Sequence, residues 1–319
     1  MDVAIYIIGG LLMLVLGGEA LVRSAVSLAN RMGIPPMIVG LTIVSIGTSM
    51  PEMVVSVFSA WNGHPDIAMG NVIGSNISNI LLVLGASAVI YPIATNPDMI
   101  KRDGILMVLA TVILIIFTHA EVISRTEGMI LLAILVAYMV NMVVRSRRTP
   151  DPTLVEEFQE ETQFNYPVFP SILLLTGGIA MLVWGADMLV EGASTLARSF
   201  GITEAVIGVT IVAIGTSAPE LVTSVVAALR KHSDIAIGNV IGSNFFNIAG
   251  VLGVTAVIVP VPVADSFMVF DVWVMLFASA LLIPLMLSSK RVSRVEGGFM
   301  CLAFVCYIFY QYTQVSPIG

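Results

Sequence analysis

Charge is what this 319-residue chain has least of. Only 11% of its residues are Asp, Glu, Lys or Arg, while 57% are hydrophobic and the mean hydropathy is +0.99. A typical soluble domain carries about 25% charged residues. A water-soluble monomer of this size could not cover its surface with so few, which excludes a soluble enzyme, a nucleic-acid binder and a secreted disulfide scaffold. The net charge of −7 also argues against nucleic acid. Cysteine is scarce as well. Cys301 and Cys306 lie inside one apolar run that offers no zinc-ligand set and read as packing residues. Positive charge is missing ahead of the first apolar run: only Met1 and Asp2 precede Val3–Val22. The run therefore reads as a first membrane span and not as a cleavable signal.

What is present is a series of apolar windows of spanning length. They fall near 3–22, 36–60, 66–91, 103–118 and 127–145, then near 168–190, 204–229, 234–259, 271–288 and 295–313. This predicts an all-α membrane protein of ten transmembrane helices, with residues 1–145 and 167–319 as its halves. Between them, 146–166 is a polar linker holding Pro150, Pro152 and the acidic residues Glu156, Glu157, Glu160 and Glu161. It lacks the alternating oxygen ligands and central glycine of a calcium-binding EF-hand loop. With the N-terminus outside, the inner loops hold twelve of the fourteen Lys and Arg residues, and the outer loops hold only Arg125 and Arg198. The positive-inside rule then places both termini outside a cytoplasmic or inner membrane and the linker in the cytoplasm.

The halves are copies. At an offset of 168, Gly40–Gly85 aligns with Gly208–Gly253 without a gap, and thirty of 46 positions are identical. The match extends outward: Glu19 meets Asp187, Asp103 meets Asp271 and, one residue further offset, Ser124–Gly128 meets Ser293–Gly297. Five helices per copy is an odd number, so the two copies cross the membrane in opposite senses. Inverted repeats of this kind, with interrupted helices, are the architecture of secondary transporters.

Ionisable groups deep in a membrane are candidates for function. Glu52 and its mate Glu220 sit midway along their windows, with no Lys or Arg in the same helices. Each follows a helix breaker, Gly47-Thr48-Ser49-Met50-Pro51 or Gly215-Thr216-Ser217-Ala218-Pro219. Proline removes a backbone donor, so helices 2 and 7 are expected to break at mid-membrane and free carbonyl oxygens there. The next helix of each half carries Asn71, Ser75 and Asn79 or Asn239, Ser243 and Asn247, each trio on one face. Ser75, Asn79, Ser243 and Asn247 are expected as ligands. Asn71 and Asn239 fit ligation and interhelical hydrogen bonding equally. Carboxylates, hydroxyls, amides and carbonyls make an all-oxygen set suited to a hard cation. Glu19 and Arg23 form an i, i+4 ion pair at the interface. His64 and His232 read as loop residues. With no Ser/His or Cys/His pair in the repeats and no paired intramembrane aspartates, the chain does not read as an enzyme.

The paired motifs GTSMPE with GNVIGSNISN and GTSAPE with GNVIGSNFFN resemble the two alpha repeats of the cation/calcium exchanger superfamily, in its prokaryotic sodium/calcium exchanger branch. Calcium/proton exchangers carry a GNxxE pattern that is missing after Asn71 and Asn239. The resemblance implies an antiporter that uses inward sodium flow to extrude calcium, with those ions as substrates and no cofactor. It implies Glu52 and Glu220 as ligands shared by both ions, completed by Asn79 and Asn247, and backbone carbonyls of Thr48 and Thr216 around calcium. Ser49, Ser75, Ser217 and Ser243 would line flanking sodium positions, with carbonyls from Ser45 and Ala213. Helices 1 and 6 would slide as a gate against the other eight, in a working monomer. Asn247 argues against potassium dependence. Two carboxylates are neutralised by one calcium and left at +1 by the family's usual three sodium ions, so exchange would be electrogenic. A calcium/proton antiporter on the same scaffold and a passive cation channel are the competing readings.

Overall fold

The computed structural model describes residues 3–32, 36–148, 166–200, 213–264, 267–289 and 291–315. It is helical almost throughout, as a chain must be where lipid offers no partner to an open backbone N–H or C=O. In chain order the helices are α1 (Val3–Met32), α2 (Gly40–Thr48 bent into Met50–Trp61), α3 (Pro65–Ile90), α4 (Ile105–Thr118) and α5 (Arg125–Arg148). They continue as α6 (Val168–Ser199), α7 (Ala218–Leu229), α8 (Ser233–Ile258), α9 (Val272–Ser289) and α10 (Arg294–Val315). Among the described residues seven helices are long and apolar enough to cross a membrane, or eight with α2 as one bent span. Of the expected ten, the two outside that count are α4, 14 residues long, and α7, which is 12 residues long and whose predicted window begins outside the described residues.

The expected boundaries need correction at three places. α1 and α6 run 30 and 32 residues, well past the predicted ends at 22 and 190. Arg23 and Glu191 close the apolar windows, but in α1 the following turns bury Ser24, Ala25, Val26, Leu28 and Ala29, so the helix continues. At 1.5 Å per residue such helices reach about 45 Å, longer than the roughly 30 Å apolar core. α5 extends to Arg148, so the linker expected from 146 begins inside a helix; its acidic run lies outside the described residues.

Helices from the two halves pack mainly on each other. α1 lies along α6, and α3 and α8, the most buried spans, occupy the centre. Glycine sets the separations. A methyl at Gly10 would sit 2.7 Å from the Gly185 carbonyl oxygen, and one at Gly17 would sit 2.9 Å from that of Gly178. A methyl at Gly297 would meet the Gly85 oxygen at 2.5 Å, and one at Gly128 would meet the Gly253 oxygen at 2.9 Å. These pairs exchange under the repeat offset, so one sequence solution is used on both sides of the molecule.

The loops are stitched across the repeat. Ile93–Ala94 pairs antiparallel with Arg291–Val292, and Val122–Ile123 with Val261–Pro262. The matched Ser124–Gly128 and Ser293–Gly297 segments are capping boxes. Glu127 Oε2 accepts from the Ser124 N–H at 2.7 Å and Glu296 Oε2 from the Ser293 N–H at 2.7 Å. The next residue of each box caps the other half: Arg125 donates to the Ile258 carbonyl at the end of α8, and Arg294 to the Ile90 carbonyl at the end of α3. The Glu19–Arg23 pair is present at 2.6 Å, and Arg230, beyond the end of α7, joins it on Glu19.

Neighbouring glycines give an internal test of the close approach. Gly297→Ala and Gly178→Ala should each destabilise by about 1–3 kcal/mol through overpacking against backbone. Gly298→Ala and Gly177→Ala, where a methyl meets no described residue within 4 Å, should stabilise by up to about 1 kcal/mol. Thermal unfolding in detergent reads the difference, and equal effects within each pair would refute the account.

Candidate cation site

The sequence Gly-Thr-Ser-Met-Pro-Glu bends α2 by 48° in the middle of its course. This is the interruption expected in helix 2, with Ser49 standing between the two segments. Ser49 still donates its N–H to the Ser45 carbonyl at 3.0 Å, and the helix resumes at Met50 with Glu52 in its first turn. Pro51 has no N–H to offer the carbonyl of Gly47, which is left open at the bend. The second repeat turns at Ser217 in the same way, with Glu220 in the first turn of α7. A helix start is where a carboxylate is best tolerated, because the first N–H groups point at it.

The bends meet helices of the opposite repeat. The first half of α2 packs on α8, and the helix carrying Glu52 packs against the turn Asn247–Leu252. α7, carrying Glu220, packs against the turn Asn79–Leu84. Both turns are wider π-type turns that begin at the predicted Asn ligands. A π-turn carries an extra residue and re-aims the side chain where it begins. Glu52, Glu220, Asn79, Asn247, Ser45, Ser49, Ser75, Ser217, Ser243 and Thr48 are all buried here, and Thr216 is partly buried. Ala213 opens the short helix Ala213–Thr216 before the second bend; its side chain lies outside the description.

Hydrogen bonds tie the repeats together at this point. Ser49 donates to Glu220 Oε1 at 2.9 Å, and Thr48 donates to Asn239 Oδ1 at 3.1 Å. Ser75 donates to Glu52 Oε1 at 3.4 Å. Asn71 and Asn239 act as braces. The Asn71 amide donates to the Glu52 carbonyl at 3.1 Å and to Ser56 at 2.9 Å. Asn239 does the same to the Glu220 carbonyl at 3.4 Å and to Ser224 at 3.0 Å. Sequence reasoning missed Ser56 and Ser224, although the signal was available. They match at the offset of 168 and lie four residues beyond each Glu on the same face. It also passed over Asn76 and Asn244, buried in the same helices, where the Asn244 amide donates to the Asn76 carbonyl at 3.3 Å.

Several oxygens remain over. Glu52 Oε2, Glu220 Oε2, Asn79 Oδ1, Asn247 Oδ1 and Ser217 Oγ are buried and have no hydrogen-bond partner among the described residues. The amide nitrogens of Asn79 and Asn247 are in the same position. No described Lys or Arg pairs with either carboxylate, and no third His, Cys, Asp or Glu joins them. A buried charge without a partner is too costly to keep. Two such carboxylates among neutral oxygens suit a hard cation, and the absence of sulfur and imidazole disfavours zinc or copper.

The family described as sodium/calcium exchanger protein matches residues 3–144 and 170–313. A protein of Alkalimonas amylolytica carrying the antiporter name CaxA is 40% identical over 316 residues, which is 98% of each chain. The sodium/calcium exchanger MaX1 of Methanosarcina acetivorans is 30% identical over 94% of this chain and 95% of its own. The solved structure of the sodium–calcium exchanger NCX_Mj, soaked with 2.5 mM Na+ and 0.1 mM Ca2+, superimposes with a TM-score of 0.81. Its sequence identity is 30%, and the match covers 96% of this chain and 97% of that one. This multi-pass membrane chain, with two buried carboxylates between duplicated halves, belongs to the sodium/calcium exchanger family.

Proposed function

We propose that the chain exchanges sodium for calcium at a single site between its halves, and that Glu52 and Glu220 bind the two ions in turn. The observation that carries this is the pair of fully buried carboxylates, each with one oxygen that no described side chain satisfies. Something must supply positive charge to these groups, and no described residue does. A site that needs a mobile cation to be electrostatically complete favours exchange over release. Leaving it empty would expose two bare charges to low dielectric.

Asn79 and Asn247 complete the site as neutral oxygen ligands, with backbone carbonyls of Thr48 and Thr216 around calcium. Ser49, Ser75, Ser217 and Ser243, with carbonyls of Ser45 and Ala213, line the sodium positions. Ser49 and Ser75 already touch Glu220 and Glu52, which suits side chains that rotate between ligating sodium and steadying the carboxylates. The architecture is ten spans in two inverted repeats, oriented with both termini outside. The α1–α6 pair moves as the gate along its glycine seam. The chain works as a monomer in the inner membrane. Against a site charge of −2, one calcium gives neutrality and three sodium ions give +1, so the cycle moves charge. Each elementary charge crossing 100 mV is worth about 2.3 kcal/mol, which makes the direction of exchange voltage-dependent.

Calcium uptake into sodium-loaded proteoliposomes tests the reading. Uptake should require the sodium gradient. Glu52→Gln and Glu220→Gln should each lower it by about 100-fold or more, since removing one buried charged partner costs about 3–5 kcal/mol. Uptake indifferent to sodium and driven by a proton gradient would make the protein a calcium/proton antiporter. Calcium flux in the absence of any counter-ion gradient would make it a channel. Activity surviving both substitutions would remove the site assignment.

Charge movement is a separate test. Voltage-clamped exchange should show a net current that reverses sign as the sodium gradient is varied. Exchange that carries no current would exclude the three-to-one stoichiometry while leaving the antiport itself intact.

A further inference from the structure

The repeat departs from symmetry in charge beside the pair Asp103 and Asp271. Asp103 and Asp271 are mates, each in a wide turn leading into a helix. Arg102 grips Asp103, with guanidinium contacts of 2.6–3.1 Å to both carboxylate oxygens. The mate of Arg102 is Phe270, and among the described residues no Lys or Arg pairs with Asp271. Asp271 Oδ1 accepts from the Tyr307 hydroxyl at 3.0 Å and from the Gln311 amide. Among the described residues nothing donates to Oδ2.

Asp271 faces a cavity of about 300 Å³ that also reaches Asn71, Gly74, Ser78, Thr216 and Tyr307. Ser78 is 2% exposed, and its hydroxyl has no hydrogen-bond partner among the described residues. The cavity leads from a carboxylate that no described cation pairs, past an orphaned hydroxyl, to Asn71 and Thr216 beside the two glutamates.

We propose that Asp271 and Ser78 form a second cation site, a staging position for sodium or calcium on the access route to the central site. This deepens the exchange reading and rests on it for the ions' destination. An unpaired carboxylate in a low-dielectric mouth concentrates cations and raises their rate of arrival. Its free oxygen and the Ser78 hydroxyl offer oxygen ligands to a hard ion. One carboxylate holds the ion weakly enough to release it to a site with two. In the proposed orientation the route opens on the outer face, and the mate Asp103, neutralised by Arg102, provides no equivalent on the inner face.

Asp271→Asn keeps an acceptor for Tyr307 and Gln311 and removes only the charge. In an exchanger assayed from each face separately, it should raise KM for calcium about five- to tenfold on one face. It should leave KM on the other face unchanged, and Asp271→Glu should restore the value. A KM that is unaltered, or altered equally on both faces, overturns the proposal. Wild-type exchange and its loss in Glu52→Gln, measured in the same vesicles, decide the exchange reading independently. A second readout does not require transport. Terbium(III), a hard oxygen-seeking ion excited through a nearby tyrosine, should luminesce in the Glu52→Gln/Glu220→Gln protein. The signal should fall with added calcium and be lost with either Asp271→Asn or Tyr307→Phe. Luminescence that persists in Asp271→Asn would place the ion elsewhere and overturn the assignment.

Discussion

Two carboxylates buried with no counter-charge among the described residues are the constraint on which the rest of this structure depends. Glu52 and Glu220 lie where water and lipid are both excluded, and no described Lys or Arg reaches them. Most proteins answer a buried acid with an arginine, which ends the matter structurally. Here the surroundings answer only in part. One oxygen of each carboxylate is held by a serine, the backbone behind each is braced by an asparagine, and the second oxygen of each is left over. The partial answer fixes where the carboxylates sit and leaves one oxygen of each open.

Holding bare carboxylates in place requires a stiff frame, and the frame is made by duplication. α3 and α8 cross at the centre, and each is clamped at its far end by an arginine from the other repeat's capping box. The same two helices are drawn against α10 and α5 by glycine pairs that allow backbone-to-backbone approach. None of these contacts is strong alone. A cap contributes about 1 kcal/mol, and a close glycine contact mainly removes an obstacle to packing. Their effect is geometric: each element that carries a ligand is fixed by the half that carries the other ligand. The site is therefore shared between the repeats rather than contained in either one.

Much of this was legible in the sequence because membrane solvation makes exceptions conspicuous. A glutamate after a Gly-Thr-Ser-x-Pro breaker is costly in an apolar helix, and its recurrence 168 residues later marks the site. The all-oxygen chemistry and the crossing of repeats follow from the same residues. What could not be read was the division of labour among polar side chains. Asn71 and Asn239 fitted bracing and ligation equally, because spacing gives the face of a helix and not the partner across it. Ser56 and Ser224 have meaning only once Asn71 and Asn239 are seen to reach them. Helix ends were misjudged for a related reason. The apolar windows of α1 and α6 stop at Arg23 and Glu191, but α1 continues because its next turns are covered by protein, which a hydropathy window cannot see.

The departures from symmetry carry as much meaning as the symmetry. Two identical inverted halves would give inward-open and outward-open states of equal energy, and only the ion gradients would distinguish them. This chain is not in that position. Glu19 on α1 holds both Arg23 and Arg230, whereas the mates of these residues are Asp187, Glu191 and Asn62, two acids and an amide that cannot form such a triad. Arg102 pairs with Asp103, whereas its mate is Phe270 and no described cation pairs with Asp271. Neither difference touches a residue of the candidate cation site. The Glu19–Arg230 contact joins α1 to the end of α7, whereas the Arg102–Asp103 pair lies within a single turn. A partly exposed ion pair is worth about 1 kcal/mol or less, which is small against the stability of the fold. It is comparable to the energy that divides two nearly symmetric conformations, and an interaction of that size formed in only one of them shifts the balance toward it.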